Sequence, residues 1–529
     1  MDNGEGMMSD RPIGGVSRRG ILKTAAAAGS ALLAGPGIIR APALAQSARR
    51  DLRIGVFGGD FGSFSPVQRY AAQGGLIVCN IFDGSARIDY KNRKILPWLA
   101  EGWSQSDPLT WRIKLREGIK WHRGYGEMTA SDILYTWQYH LDSKSFQVGT
   151  ALFPIDTMKT DGKYVLEVKT KQPFGPFPGV TIGYAGFILS EKAHKEIGPK
   201  EYGQKTIGQG PFMIESVRGN EALLVRHPDY WRPGFPKLDR LAYRAIPDSS
   251  VRLQSLMRGE LDFVTHPDPK DSGEARKNKN YTFQSTPGWT WDYQQFNMNA
   301  RPDLPYHNKL VRQAISYAID REAIVNEIYY GEGTVTDNQI PDGFLGYRKG
   351  LLRYPKNGDL KKAKELMAQA GVSGYDVEVI TNDKDWLRKE LELVSAMVSQ
   401  IGINYKIRNA DMGGYNNVWI NRGYEQQLGE VNVVAPDPDA TSWWFLHSKG
   451  ATSGYNSPAM DTLLDDARRE IDEPKREGLY YKIVDQTLEE CPIIYHCNLN
   501  FLLIHDKRLT GFVANNQEYV QFHDNTSWT

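Results

Sequence analysis

Trp111-Arg112-Ile113-Lys114-Leu115-Arg116-Glu117-Gly118-Ile119-Lys120-Trp121-His122 is followed by Thr129-Ala130-Ser131-Asp132. Residues 110–115 alternate between apolar and polar side chains, which predicts a β-strand with one buried face. Thr129 and Asp132 fit a capping box, in which the hydroxyl and the carboxylate satisfy free backbone N–H groups at a helix start. We therefore predict a strand, a turn and then a helix that begins after Thr129.

The same patterns extend along the chain in both directions. Alternating segments predict strands at 52–57, 164–169, 212–217, 241–246, 375–381 and 403–408. Capped or amphipathic segments predict helices at 249–257, 308–330, 359–370, 385–401, 458–471 and 474–490. From about Trp289 onwards, strands alternate with long helices, which is typical of an α/β lobe. We therefore predict two or three lobes of α/β and α+β type.

The composition excludes several classes of protein. The chain has 529 residues with 64 basic and 63 acidic side chains. This balance argues against nucleic acid as a partner, because phosphate binding needs concentrated Lys and Arg. Three cysteines cannot form a disulfide framework, and whether Cys491 and Cys497 pair stays open. The 13 Trp and 27 Tyr suit either a stacking pocket or a large aromatic core.

The N-terminus has the pattern of an export signal. Ser17-Arg18-Arg19-Gly20-Ile21-Leu22-Lys23 is followed by a mildly apolar segment and by Ala41-Pro42-Ala43-Leu44-Ala45. This order of basic, apolar and small residues predicts a signal peptide of the twin-arginine type over residues 1–45. An amphipathic N-terminal helix is the alternative, but glycines and a proline would break it. We expect cleavage after Ala45, no lipid anchor because no Cys follows, and a location in the periplasm.

Motifs for catalysis are missing from the sequence. We found no Gly-x-Ser-x-Gly, His-Glu-x-x-His or Cys-x-x-Cys motif and no phosphate-binding loop. Gly208-Gln209-Gly210 lacks the third glycine of a dinucleotide fingerprint. For His496 and His505, ordinary packing is favoured over a metal role. We therefore predict a protein that is not an enzyme, with no metal and no cofactor, although a glycosidase could hold two carboxylates far apart in sequence.

Five stretches resemble one known family, in the family's order. The chain is similar to the large periplasmic solute-binding proteins of ABC importers, family 5, the peptide/nickel/oligopeptide-binding class. The matching stretches are 95–103, 111–122 with 129–132, the turn Ile207-Gly208-Gln209-Gly210-Pro211-Phe212, His227-Pro228-Asp229-Tyr230-Trp231, and 297–299 with 311–321.

The resemblance implies an α/β, two-lobed periplasmic-binding-protein fold, type II-like, with an extra subdomain in the first lobe. Lobe I would comprise 46–83, 205–288 and 498–529, the extra subdomain 84–204, and lobe II 289–497. The lobes would close over a small-molecule solute, because a ligand that contacts both lobes stabilises only the closed state. The implied partners are the inner-membrane permease of an ABC importer and its ATPase, and we expect a monomer.

Two segments are predicted to line the cleft with aromatic and polar groups. Trp289, Trp291 and Tyr293 alternate, so their rings share one face if the segment is a strand. They are expected where the chain enters the second lobe, although packing in the lobe core is the alternative. Asp60 and Phe61 follow the first strand, where strand-end loops of α/β sheets face a ligand crevice. A plain turn is the alternative there.

A third segment resembles the family's acidic cleft loop. Asp437, Asp439 and Trp443 follow Val433-Val434-Ala435-Pro436. In di- and oligopeptide binders, an Asp three residues before the acidic residue pairs with the peptide's amino group, and that position is Val434 in this chain. Since a valine cannot neutralise an ammonium group, ordinary free-amine peptides are doubtful ligands. Arg422 is a candidate for a carboxylate or phosphate, with a surface role as the alternative.

The favoured function is a receptor that binds a polar solute (a peptide, a modified peptide, a sugar conjugate or an opine) and delivers it to a permease. The rival is a secreted hydrolase of sugars or peptides on a similar frame, which would need two carboxylates, or a nucleophile and a base, in the cleft. A weaker third possibility is the binding of haem or a metal chelate.

Overall fold

The computed structural model describes residues 50–529 except 60, 68–71, 90–93, 144–153, 181–182, 383, 433–436, 515–519 and 524. The predicted signal peptide and its cleavage site lie outside these residues, as do Asp60 and Val434. Within the described part of the chain, no helix is long and apolar enough to cross a membrane.

Most strands belong to one large mixed sheet. The described strands are β1 (Asp51–Val56), β2 (Ala86–Asp89), β3 (Lys94–Pro97), β4 (Ala100–Asp107), β5 (Thr110–Leu115), β6 (Ile155–Asp161), β7 (Val165–Thr170), β8 (Phe212–Arg218), β9 (Glu221–Arg226), β10 (Arg240–Ala245), β11 (Phe263–Thr265), β12 (Tyr281–Phe296), β13 (Gly333–Val335), β14 (Tyr375–Asn382), β15 (Ile403–Ala410), β16 (Gln426–Asn432), β17 (Ile493–Asp506), β18 (Leu509–Thr510), β19 (Val513–Ala514), β20 (Val520–Gln521) and β21 (Ser527–Trp528). Eleven of them form a sheet in the order β15-β14-β16-β12-β17-β11-β1-β10-β9-β8, with β13 also paired to β17.

The long antiparallel strands β12 and β17 run through both halves of this sheet. Their first shared segment, at Tyr281–Thr286, lies beside β11 and β1, and their second, at Thr290–Gln295, lies beside β16 and β14. We call the half with β1 and β8–β11 lobe I and the half with β14–β16 lobe II. The chain therefore has two α/β lobes that share two strands.

Most of the described longer helices follow β12 in the chain. The described helices of at least seven residues are α1 (Ala72–Ile81), α2 (Ala130–Asp142), α3 (Glu191–Ile197), α4 (Ser249–Met257), α5 (Lys309–Ala318), α6 (Leu360–Gln369), α7 (Asp385–Ser399), α8 (Met412–Ile420), α9 (Asp439–Leu446), α10 (Pro458–Arg469) and α11 (Glu473–Glu490). The shorter helical segments are Phe177–Val180, Pro199–Tyr202, Ser272–Ala275 and Arg321–Ala323, the 3₁₀ turns His122–Gly124, Gly183–Gly186, Pro269–Asp271 and Pro305–His307, and the π-helical turn Ile324–Ile328.

A separate antiparallel sheet, β4-β5-β7-β6, forms the extra subdomain together with α2. Its core contains Trp111, Ile113, Leu115 and Trp137. Thr129 and Asp132 make the expected capping box at the start of α2, so the strand, turn and helix predicted from this stretch are confirmed. Each lobe has its own larger apolar core.

Two of the stretches that resemble the family are joined by hydrogen bonds between His122 and the turn at Gly208–Gly210. The backbone N–H of Gly208 donates to His122 Nδ1 at 3.1 Å, and His122 Nε2 lies 2.9 Å from the carbonyl oxygen of Gly210. A Cβ on Gly208 would lie 2.2 Å from the carbonyl oxygen of Ile81. Glycine is therefore required where this turn meets the end of α1.

One long predicted helix is wrong. Residues 308–330 were predicted as a single helix, but α5 ends at Ala318 and Ile319 is extended. Asp320 then caps a new turn by accepting from the backbone N–H of Ala323 at 2.8 Å. A competing cap thus breaks the amphipathic pattern. The predicted helix 458–471 also ends early, at Arg469, and Ile471 is exposed.

The three cysteines are buried and free. The structure therefore contains no bridge between Cys491 and Cys497, a question that the sequence left open.

Candidate functional site

The two lobes meet where β12 and β17 lose their regular register. Thr286 pairs with Phe501 and Thr290 pairs with Leu499, so three residues of β12 face one residue of β17. A Cβ on Gly288, within this irregular segment, would lie 2.0 Å from the carbonyl oxygen of Leu499. Only glycine allows this close approach of the two strands. We call this segment the junction.

A polar network crosses the junction between the lobes. Glu332, just before β13, accepts from Arg276 Nη2 and from Ser285 Oγ, both at 2.6 Å. Asn500 Nδ2 donates to the same Ser285 oxygen at 2.9 Å. Ser285 is on the lobe I part of β12 and Arg276 follows the short helix Ser272–Ala275 before it, while Glu332 precedes β13, so these bonds tie both halves of the sheet together.

The lobes also touch at a second place, through the extra subdomain. The backbone N–H of Gly175 donates to the carbonyl oxygen of Arg468 at 3.0 Å. Arg469 Nε donates to Gln172 Oε1 at 3.3 Å. A Cβ on Gly179 would lie 3.0 Å from Cβ of Asp437. Residues 172–179 therefore lie against the lobe II helices α10 and α11 and against the acidic loop that the sequence singled out.

Both carboxylates of that loop are engaged by arginines of lobe II. The Arg476 guanidinium donates to the two oxygens of Asp437 at 2.5 and 2.6 Å. The Arg468 guanidinium donates to Asp439 at 2.8 to 3.1 Å. Burial alone would lower the pKa of Arg476, but the Asp437 carboxylate raises it above its ordinary value. Two bidentate ion pairs thus neutralise the acidic loop from inside lobe II.

Trp443 is part of the same cluster. Its ring stacks on the ring of His447, with centroids 4.6 Å apart, and the Arg468 guanidinium lies 4.6 Å from the Trp443 centroid. The side chain is buried. The indole therefore covers the Arg468–Asp439 ion pair, an arrangement that stabilises a buried cation.

The predicted aromatic triplet is on β12, with Trp289 inside the junction and Trp291 and Tyr293 just after it, and no ring is more than 2% exposed. Trp291 and Tyr293 both contact the ring of Phe445 on α9, at centroid distances of 5.7 and 5.4 Å. Trp289 packs edge-on against Phe344 at 4.5 Å. The shared face of Trp291 and Tyr293 is as expected for a strand, and it is directed at lobe II helices.

Several buried polar atoms around Phe445 find no hydrogen-bond partner among the described residues. They are Nε1 of Trp291, Oη of Tyr495, Nε1 of Trp419 and Oγ of Ser442. Trp291 contacts Tyr495, and Trp419 contacts Phe445. Buried donors and acceptors are nearly always paired in proteins, so these indole N–H and hydroxyl groups are available to form hydrogen bonds with a bound molecule.

The remaining predicted residues occupy structural positions. Phe61 is buried in the lobe I core next to Phe64. Arg422 is half-buried, has a positive φ of 56°, and donates from Nη2 to the carbonyl oxygen of Gly450 at 2.6 Å. For the whole predicted set, contact with a ligand stays a prediction.

Sequence reasoning missed the two arginines and the ring of Phe445. Arg468 and Arg476 lie 29 and 39 residues after the carboxylates that they bind. One signal was present for Arg468, because it follows the buried Leu464 by one helical turn on the apolar face of α10. A cation on an apolar stripe indicates a buried partner.

Two α/β lobes that share a pair of strands, with an extra subdomain in the first, define the two-lobed periplasmic-binding-protein fold. Solved structures agree with this. DppA from Helicobacter pylori in complex with the peptide STSA matches with a TM-score of 0.79 and 24% identity, covering 90% of this chain and 98% of that one. AgaA in complex with agropinic acid, from A. tumefacien R10, matches with a TM-score of 0.78 and 23% identity, covering 90% and 99%.

Residues 94–453 match the family described as "Bacterial extracellular solute-binding proteins, family 5 Middle". The chain therefore belongs to the bacterial extracellular solute-binding proteins of family 5, as the resemblance of its sequence motifs implied. A glutathione-binding protein, GsiB of Pectobacterium atrosepticum, is 24% identical over 494 residues, which is 90% of this chain and 94% of the relative. Di/tripeptide-binding protein 1 of Pseudomonas aeruginosa is 26% identical over 483 residues, 82% and 87% of the two chains.

Proposed function

We propose that this protein captures one polar solute between its lobes and delivers it unchanged to the permease of an ABC importer. The observation that carries the proposal is the pair of lobe contacts. The lobes share β12 and β17 at the junction and touch again at Gly175 and Arg468. A solute held between these two places would contact both lobes and would stabilise the closed state by its differential affinity.

The solute class follows from the charges of the acidic loop. Asp437 and Asp439 each accept a bidentate arginine, and Val434, outside the described residues, offers no charge. A ligand ammonium would have to compete with Arg476 or Arg468 for a carboxylate. We therefore infer that the solute does not depend on a free amino group at this loop, which favours modified peptides, sugar conjugates and opines over simple peptides.

Polar groups near the junction favour a solute that can form hydrogen bonds. Trp291 and Trp419 offer indole N–H donors, and Tyr495 offers a phenol, all without partners among the described residues. Such groups pair with carboxylate, amide or hydroxyl oxygens. A polar, oxygen-rich solute would satisfy them, while the rings would supply apolar contact area at low cost in side-chain entropy.

The cellular setting is part of the proposal. We propose export to the periplasm by a twin-arginine-type signal cleaved after Ala45. We also propose that the exported chain is a monomer that meets a permease and its ATPase at the inner membrane. The match to bacterial extracellular solute-binding proteins supports the exported location and the partnership with a permease. It gives no support to the rival hydrolase.

Calorimetry on the chain that begins at Gln46 tests the proposal. The panel should contain glutathione, di- and tripeptides with free and acetylated amino groups, opines, sugar conjugates and a metal–histidine chelate. We expect saturable one-to-one binding of one class, together with a decrease in the radius of gyration by X-ray scattering. Mass spectrometry of the recovered solute serves as the control for turnover. Chemical conversion of the solute would contradict the proposal and would favour the hydrolase.

A further inference from the structure

Three ionisable side chains converge inside lobe II, on the sheet face opposite Trp291 and Tyr293. They are Asp292 of β12, Glu390 of α7 and His496 of β17, and each is fully buried at 0% exposure. His496 Nδ1 lies 2.7 Å from Glu390 Oε1 and 3.5 Å from Asp292 Oδ2. One nitrogen thus faces two carboxylate oxygens from two other elements of the lobe.

The fold uses a strand irregularity to make this cluster. Asp292 pairs with Cys497 while Tyr293 pairs with Tyr495, so His496 is an extra residue on β17. In a regular strand, side chains alternate, and His496 would lie on the face opposite Cys497 and therefore away from Asp292. A bulge redirects the side chain of the extra residue, and bulges are common beside functional sites.

A second irregularity orients Glu390. The π-helical turn Ile324–Ile328 ends just before Tyr329, whose hydroxyl donates to Glu390 Oε2 at 2.7 Å. The other oxygen of Glu390 is thereby left for His496. The thiol of Cys497 lies 3.9 Å from Asp292 Oδ2, the oxygen that also faces His496 Nδ1. Each carboxylate has one neighbouring group outside the cluster, which is the arrangement that positions metal ligands.

The charges of the cluster call for a cation. Two carboxylates and one imidazole are removed from water. Among the described residues, His496 is the one basic side chain within ion-pair distance of either carboxylate, and a single imidazolium can balance only one of the two. Asp292 Oδ1 has no hydrogen-bond partner among them either. A buried carboxylate that lacks a full set of partners costs free energy, and a divalent ion would neutralise both carboxylates at once.

We propose that Asp292, Glu390 and His496 bind one divalent transition-metal ion inside lobe II. One ligand atom from each residue lies within 4.8 Å of the others. One imidazole nitrogen and two carboxylate oxygens suit zinc and its first-row neighbours, and suit calcium or magnesium less well. The ion would be bound during folding because the cluster has no exposed atom, and it would fix β12 and β17 next to the junction.

Zinc is the probe for this site. The chain should be unfolded in chelator, refolded with or without zinc, desalted and analysed by plasma mass spectrometry and thermal unfolding. We expect about one zinc per chain and a higher unfolding midpoint in the zinc-refolded protein. Anomalous scattering at the zinc edge should give a peak among the three side chains. Absence of zinc together with identical unfolding midpoints would overturn the proposal and would leave a cluster held by protons.

Two variants make the test specific. Glu390→Gln should abolish zinc retention, and Tyr329→Phe, which keeps the ring, should weaken zinc affinity about tenfold. Tyr354→Phe is the matched control, because that buried hydroxyl donates to the carbonyl oxygen of Leu488, away from the cluster. If Glu390→Gln does not fold, the zinc affinity of Tyr329→Phe still tests the proposed site. Equal zinc affinity in the Tyr329 and Tyr354 variants would contradict the proposed role of Glu390.

Discussion

The backbone N–H of Gly175, in the extra subdomain, donates to the carbonyl oxygen of Arg468, in lobe II, at 3.0 Å. A Cβ at position 175 would lie 2.1 Å from the carbonyl oxygen of Glu470. Because a backbone atom blocks the space, a side chain at this position would hold the two surfaces apart. This contact, which we call the latch, therefore requires the extra subdomain and lobe II to be close together.

We predict that Gly175→Ala weakens solute binding about tenfold, because the variant must populate the closed state less often. Calorimetry gives the affinity, and X-ray scattering gives the fraction of closed molecules with solute present. Gly102→Ala is the matched control, since a Cβ there meets nothing within 4 Å. Unchanged affinity in Gly175→Ala would show that the latch is not part of closure.

The ion pair between Arg468 and Asp439 should make a large contribution to stability. Arg468 is fully buried, and its removal would leave the Asp439 carboxylate buried without its partner. We expect Arg468→Met to lower the free energy of unfolding by about 3–5 kcal/mol. Arg469→Met, at the next and exposed position, should cost about 1 kcal/mol or less. Urea unfolding of the two variants measures the difference, and similar losses would contradict the prediction.

His122 should make the protein sensitive to mild acid. Burial, with smaller contributions from His227 and Arg123, lowers the pKa of His122 to about 3, and Nδ1 already accepts from the N–H of Gly208. The unfolded chain takes up a proton near the ordinary pKa of 6.5, while the folded chain stays neutral. The contribution of neutral His122 to the free energy of unfolding is therefore complete above about pH 6.5. It falls by roughly 1.4 kcal/mol per pH unit between about pH 6 and pH 3.

His122→Gln should remove this share of the pH dependence. Urea unfolding at pH 7 and pH 5 would show a smaller loss in the variant than in the natural chain. His307→Gln, at a half-buried ring of lobe II, serves as the control and should keep the loss of the natural chain. An equal loss in the His122 variant would assign the acid sensitivity to other groups.

Acetylation of a peptide's amino group should leave its affinity nearly unchanged. Asp437 and Asp439 are paired with Arg476 and Arg468, so neither carboxylate is available to an ammonium group without breaking an ion pair. We expect the free and acetylated forms of each panel peptide to bind within about threefold of each other, since a tenfold ratio needs 1.4 kcal/mol. Micromolar binding of simple dipeptides that is lost on acetylation would show that another carboxylate accepts the amine.

Local structure was largely predictable because it depends on neighbours in sequence. The alternation of apolar and polar residues predicted β5, and the capping box predicted the start of α2. Helix α4 begins and ends at Ser249 and Met257, as predicted, since Asp248 caps its start. The break at Ile319 is also local, because the Asp320 side chain caps a new turn and so interrupts a longer amphipathic pattern that by itself predicts one helix.

The site was less predictable because its partners are distant in sequence. Nothing near Asp437 or Asp439 indicates that each one accepts an arginine more than 25 residues away. Alternation placed Trp291 and Tyr293 on one face, but it could not show that this face meets Phe445. The convergence of Asp292, Glu390 and His496 depends on a bulge, which shifts the strand period by one residue and cannot be read from the pattern.

Trp291→Phe should separate a role in binding from a role in packing. Phenylalanine keeps a ring against Phe445 and Tyr495 but lacks the indole N–H, which has no partner among the described residues. If the solute accepts that hydrogen bond, its affinity should fall by about 1–3 kcal/mol with little change in unfolding. Trp137→Phe is the control, because the indole N–H of Trp137 has a partner within the protein. It donates to the carbonyl oxygen of Ala185 at 2.8 Å in the subdomain core. That variant should lose stability and keep its affinity, and calorimetry with thermal unfolding of both proteins would measure the two effects. Unchanged affinity in Trp291→Phe would remove the indole N–H from the binding site and would leave Trp291 as a core residue of lobe II.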